Sequence, residues 1–148
     1  MAITHEAITV ADAVATRLTT NNYAAERKLC IMYKLAELKT RKITVVPVGF
    51  ELEAESRASD KMTVLVQIGV QQILAGKDWD AEIAALMDVE REIIAKFNRL
   101  TGLSSLGGKV IAIDNNPVFD GKAILESNLF IGIITLTVQL STAAGAQQ

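Results

Sequence analysis

Histidine and cysteine are almost missing from this chain, with one of each, His5 and Cys30, in 148 residues. A zinc site draws its ligands largely from those two types and a disulfide needs two cysteines, so neither framework is available. Nucleophilic catalysis is starved in the same way. A Cys–His pair would have to use His5, which lies in the first few residues, where a solvated terminal side chain is the simpler expectation. Cys30 sits in an apolar run and reads as a small hydrophobe rather than a reactive thiolate. No GxGxxG, Walker or HExxH string occurs, and the Gly107–Gly108 pair is a loop signal, not a phosphate cradle. Asp114, Asp120 and Glu126 are scattered through a turn-rich stretch without the pairing that acid–base chemistry needs.

A basic excess is lacking too. The formal charge is −2 and the isoelectric point near 5.4, so the chain has no surplus of cations with which to displace counterions from nucleic acid. Long hydrophobic runs are also absent: residues 129–140 are interrupted by Gly132, Thr135, Thr137 and Gln139, short of the roughly 20 residues of a membrane helix. The first ten residues show no basic stretch followed by an apolar one, so no signal peptide is expected. These absences lead to the expectation of a non-enzymatic protein with no cofactor, metal or membrane association, made in the cytoplasm.

What is present is ordinary globular material, 50% hydrophobic and 22% charged. One domain is expected over residues 1–140, with 141–148 a fraying tail. Ile8, Ala11, Val14, Ala15 and Leu18 make a helical stripe, with Thr9 and Asp12 spaced as a capping box. Residues 28–38 alternate loosely and fit a strand or a short buried helix, with a strand favoured. Residues 42–48 are a β-branched run in which Pro47 implies an edge or strand end. Residues 61–73 alternate cleanly, with Met62, Val64, Val66, Ile68 and Val70 on one face. Between those two strands, residues 49–60 read as a long, polar, projecting hairpin tip.

Residues 81–100 form the clearest helix. Ile83, Leu86, Met87, Ile93, Ile94, Phe97 and Leu100 make its apolar stripe, and Glu82, Asp88, Glu92, Lys96 and Arg99 its wet face. A loop over 101–108, a short strand over 109–113, a turn-rich excursion over 114–121 and a last strand over 129–140 complete the chain. The order helix–strand–strand–strand–helix–strand–strand predicts an α+β domain, a mostly antiparallel sheet packed by two helices.

The one unusual cluster is Glu51, Glu53 and Glu55, spaced by two with Leu52 and Ala54 between them. In extended chain the carboxylates face one way and the apolar groups the other. Such charges protect a sheet edge, or they form an acidic ledge facing a partner or a pore. Ser56 and Arg57 follow, and an arginine suits a carboxylate on a neighbouring subunit.

Taken together, KITVVPVGFE, the acidic tip ending in Glu55–Ser56–Arg57, and KMTVLVQIGVQQI resemble the first hairpin of the tail-terminator (tail-completion) proteins of long-tailed bacteriophages. The likeness continues through the helix DAEIAALMDVEREIIAKF, the segment Asn116–Pro117–Val118–Phe119 and the closing strand LFIGIITLTVQL, roughly residues 10–140. The resemblance implies a structural virion protein of the tail and neck, without enzymatic activity or cofactor. It implies a homo-oligomer, a hexameric ring that caps the tail tube protein and presents a surface to the head-completion (stopper) protein, with DNA passing through unbound. Glu51, Glu53, Glu55, Ser56, Arg57, Asn116 and Pro117 are the expected interface residues. The alternative expectations are the head-side stopper itself and, further off, an adaptor that binds a strand at an open sheet edge.

Overall fold

The computed structural model describes residues 5–28, 38–54, 59–74, 79–104 and 107–143. The chain is α+β, with helices α1 (Glu6–Thr20), α2 (Trp79–Phe97) and α3 (Gly121–Ser127) and strands β1 (Ala25–Arg27), β2 (Lys42–Ala54), β3 (Ser59–Ile73), β4 (Thr101–Ser104), β5 (Gly107–Asn115) and β6 (Leu129–Ala143). The six strands form one sheet in the order β1-β2-β3-β6-β5-β4, antiparallel at every step except β1 on β2.

The centre is the β3–β6 pair, which runs in unbroken register from Ser59 opposite Ala143 to Ile73 opposite Leu129. Strict alternation explains its stability. Met62, Val64, Val66, Ile68 and Val70 share a face with Phe130, Ile134, Leu136, Val138 and Leu140, and all are buried. Both α1 and α2 pack on that face. α1 contributes Ala7, Val10, Ala11, Val14, Ala15 and Leu18, small or β-branched groups that let it lie close to β2 and β3; α2 contributes Leu86, Ile93 and Phe97. Arg17 Nε donates to the Lys96 carbonyl at 3.3 Å, tying the two helices at their C-terminal ends.

Several expectations are corrected. α1 begins at Glu6, not at a Thr9 cap: His5 is the N-cap, its Nδ1 accepting from the Ala7 N–H at 3.0 Å. His5 is exposed, as expected of a solvated side chain, but it also meets Phe50 edge-on, ring centroids 4.8 Å apart. The hairpin tip is not a long loop. β2 and β3 stay paired out to Ala54 opposite Asp60, because residues 49–54 alternate with a period of two and each finds a cross-strand partner, Phe50 on Val64 and Glu53 on Lys61 among them. The loop expected at 101–108 holds β4 and the start of β5, and α3 was not anticipated. That short helix is fixed by Asp120, whose Oδ1 accepts from the N–H groups of Lys122 and Ala123, and by Asn128, which closes it in the left-handed region at φ 53°. Met87, expected on the buried stripe, is 37% exposed. The strand expected over 28–38 falls, Lys28 and Leu38 apart, outside the described residues; the nearby strand that is described, β1, precedes it.

Candidate functional site

The acidic ledge takes its geometry from a bulge. In β2, Ile43, Val45 and Pro47 lie opposite Val70, Ile68 and Val66 on the helix side of the sheet. The register then skips Val48, so that Gly49 opposes Leu65, Phe50 opposes Val64, Glu51 opposes Thr63 and Leu52 opposes Met62. One extra residue inverts the alternation. Without it Glu51 and Glu53 would point into the helix-side core; with it they stand on the opposite face, exposed, and Phe50 and Leu52 take the helix side at the sheet margin. A Cβ at Gly49 would come within 2.8 Å of Cδ1 and 3.2 Å of Cβ of the exposed Leu65, so Leu65 would have to shift to admit one. Glu53 lies opposite Lys61, an opposite-charge cross-strand pair. Pro47 sits beyond the reach of β1, which pairs only with Ile43, Thr44 and Val45, so its lack of an N–H costs no ladder bond on that side. Glu55, Ser56 and Arg57 lie outside the described residues.

Asn116 and Pro117 are elsewhere. They leave the end of β5, joined by a cis peptide bond, and the Pro117 carbonyl accepts from the Ile133 N–H at 2.9 Å. In sheet register Glu51 aligns with Thr63 and Gln139, whereas Asn115, just before Asn116, aligns with Ile134. The two groups are separated by two strands and by about five residues, or roughly 17 Å, along the strand direction. The expected interface residues are therefore two places, not one.

Beside the second place lies a group that was not anticipated. Glu90 is on the buried face of α2 and only 1% exposed. Asn115 Nδ2 donates to its Oε2 at 2.8 Å and to the Ile133 carbonyl at 3.0 Å, while Oε1 has no hydrogen-bond partner. Gly132 makes room for the carboxyl: a Cβ at that position would collide with Glu90 Oε2 and with the Val118 carbonyl. Desolvation by burial pushes the carboxyl from 4.5 up to about 7, against the smaller, lowering effect of the Asn115 hydrogen bond. The sequence did carry a signal. Leu86, Glu90, Ile93 and Phe97 are spaced by four, three and four residues, so helical phase alone puts position 90 on the inner stripe.

With its value raised to about 7, this carboxyl is part protonated at neutral pH, and among the described residues its Oε1 has no hydrogen-bond partner. A general acid must reach the atom it protonates. The clefts flanking α2 are lined by Asn21, Tyr23, Glu92 and Lys96 on one side and by Arg91, Asn98 and Arg99 on the other, with Glu90 on neither. Its contacts are with β5, β6 and the turn after Asn116, so it acts on how those elements sit together. Among the described residues no cluster of His, Cys, Asp and Glu is arranged to hold a metal, and no helix is long and apolar enough to cross a membrane. No family model matches this chain, and no curated protein matches it.

Proposed function

We propose that this chain is a structural subunit of a phage neck: a hexameric ring that caps the tail tube, offers a joining surface to the head-completion protein, and lets DNA pass. The family resemblance motivates the reading, and the observation that carries it is the sheet face turned away from α1 and α2. Thr63, Gln67, Thr135, Thr137 and Gln139 stand half-buried along it, with Glu51 and Glu53 exposed at its margin. Hydroxyls and amides wet a wall without binding phosphate tightly. On that face the carboxylates of Glu51, Glu53 and Asp114 are balanced by Lys42, Lys61 and Lys109, so the wall offers phosphate no net positive charge. Such a face suits the lumen of a ring through which a polyanion must slide. α1 and α2 then face outward as the ring's buttress.

Three-dimensional reconstruction of the neck of a particle carrying the chain tests this. The expected result is a hexameric ring at the head-proximal end of the tube with Thr135 and Thr137 toward the channel. A dodecameric ring, a single copy per particle, or a ring with the helices lining the channel would overturn it. The ledge is tested separately by the triple change Glu51→Lys, Glu53→Lys and Glu55→Lys. At the exposed Glu51 and Glu53 such changes shift stability by less than roughly 0.5 kcal/mol each, and a lysine at 53 facing Lys61 adds a like-charge cost of about 0.2–1 kcal/mol, so the subunit should still fold with its melt lowered by only a few degrees. It should fail to complement a phage lacking the protein, or yield particles that eject DNA poorly; wild-type titre and ejection would reduce the ledge to edge protection.

A further inference from the structure

We propose that the chain self-associates edge to edge, with the distal part of β2 in one copy adding as an antiparallel strand to the end of β5 in the next. This deepens the ring reading and rests on it only for closure into a ring.

Among the described residues, two stretches of the sheet have a strand neighbour on one side only. β1 covers β2 only as far as Val45, and no described strand pairs with residues 46–54 on that side. β4 covers β5 only as far as Val110, whose N–H reaches the Leu100 carbonyl at 2.9 Å; residues 111–115 have β6 on one side and no described strand on the other. An open edge presents unpaired N–H and C=O groups to whatever approaches. These edges also carry apolar groups that a single copy does not cover. Val48, Phe50 and Leu52 on β2 are 49%, 38% and 56% exposed, and Ile111 on β5 is 44% exposed. Ile111 borders a groove of about 390 Å³ whose far wall is α2, with Ile94 along it and Arg91 and Arg99 at its rim.

Polarity and register fit the two halves to each other. Three antiparallel steps separate β2 from β5, so they run in opposite directions within a copy. A neighbour turned about an axis roughly along the strands keeps its strand directions, and its β2 meets β5 antiparallel. Each edge has a bulge, at Val48 and at Ile111, and beyond them the faces are defined. Phe50, Leu52, Ile113 and Asn115 belong to the helix side, and Glu51, Glu53, Ala112 and Asp114 to the other. A ladder that keeps faces together sets either Leu52 or Phe50 opposite the neighbour's Ile113. The first places Glu51 directly on Asp114, a like-charge pair. The second places Gly49 on Asp114, Glu51 on Ala112, and Leu52 against the bulged Ile111 and its groove. The second register is the one assigned. Every copy carries both halves, which makes the interface heterologous and able to propagate, and this singles out a second copy over a foreign strand.

The test uses Leu52→Lys and Ile111→Lys, both at exposed positions, with native mass spectrometry and sedimentation of the full chain up to its highest soluble concentration. Wild-type protein should associate, and each variant alone should remain monomeric, because each has lost one of the two edges. An equal mixture should form a dimer containing one copy of each and nothing larger, since the sound β2 of one variant meets the sound β5 of the other. That rescue also shows that both variants are folded. Association of either variant alone, failure of the mixture to pair, or a wild-type protein that stays monomeric would overturn the proposal, as would a foreign strand captured at β5 without loss of self-association in Ile111→Lys. The ring reading is judged apart. A wild-type ring untouched by both substitutions keeps the ring and sinks the edge pairing; open chains abolished by them and rescued as dimers uphold the pairing and count against closure.

Discussion

The two long helices lie on the same face of the same sheet and are built on different terms. α1 buries Ala7, Val10, Ala11, Val14, Ala15 and Leu18, an unmixed apolar stripe of small side chains. α2 buries Leu86, Ile93 and Phe97 and, among them, Glu90. The first helix packs on β2 and β3, whose buried helix-side residues are Ile43, Val45, Met62, Val64, Val66, Ile68 and Val70. The second lies over the seam where β5 leaves β6 and the chain turns through Asn116 and Pro117, and there a carboxyl, an amide and a glycine share the space. Apolar contact is indifferent to pH and tolerant of small shifts. A buried carboxyl with a single donor is neither, so the α2 seam is where this fold is adjustable and α1 is where it is not.

The largest effect that sharpens this contrast is loss of the α2 anchor. Phe97 is wholly buried in the main core, so Phe97→Ala should destabilise the chain by roughly 3–5 kcal/mol, seen as a large fall in denaturation midpoint. A melt unchanged by the substitution would mean that α2 is not held by its apolar stripe, and the two helices would differ far more than the structure indicates.

Next in size is the carboxyl itself. The folded-state value of Glu90 is raised, so the folded chain holds this proton more tightly than the unfolded one. Its protonated form fits the site, and stability is lost as pH rises from 4.5 towards 7 and stays lost above. A shift of that size corresponds to up to about 3 kcal/mol. Glu90→Gln should therefore be close to neutral at pH 4 and more stable than wild type at pH 8, the difference opening through that window. Parallel wild-type and variant curves across the range would show that Glu90 is solvated and charged in the folded state. The matched control is α1, where Leu18→Ala should lower stability by the same amount at both ends of the range.

The same contrast explains what was legible beforehand. Stripes of one chemistry were plain: Val14 and Leu18 in α1, Ile93 and Phe97 in α2, and the alternation from Met62 to Val70. Features that depend on a partner in space were not. Nothing local announces that Val48 is the extra residue of a bulge, and without it the faces of Phe50 and Glu51 cannot be assigned. Residues 49–54 look like loop because they are charged, yet each finds a cross-strand partner that only the fold supplies. β4 and α3 are too short for periodicity to register, and their cues lie in caps such as Asp120 and Asn128. Glu90 was legible by helical phase, yet it was assigned neither to the apolar stripe nor to the wet face of the helix. Of the expected interface residues, the spacing of Glu51 and Glu53 led correctly to one exposed face, but spacing could not reveal that Asn116 and Pro117 lie far from them.

The smallest expected effect is on the α1 side, at the cap of the helix. His5 Nδ1 accepts from the Ala7 N–H, and the ring packs edge-on to Phe50 at an interplanar angle of 77°. The two contacts do different things. The first satisfies an N–H that the helix leaves orphaned, worth about 1 kcal/mol; the second joins the start of α1 to β2 just beyond its bulge and adds on the order of 0.5–1.5 kcal/mol. Both act on a helix that apolar packing already holds, so neither should decide folding. His5→Asn keeps a side-chain acceptor without the ring, His5→Phe keeps a ring without the acceptor, and His5→Ala removes both. If the cap and the ring contact act separately, the losses in the first two should sum to that in the third, since each removes one contact and spares the other. An alanine variant as stable as wild type would show that α1 needs no cap at all, its anchorage coming wholly from the Val10–Val14–Leu18 stripe. A loss in His5→Phe as large as in His5→Ala would instead place the whole effect in the Ala7 hydrogen bond and leave the Phe50 contact without energetic weight.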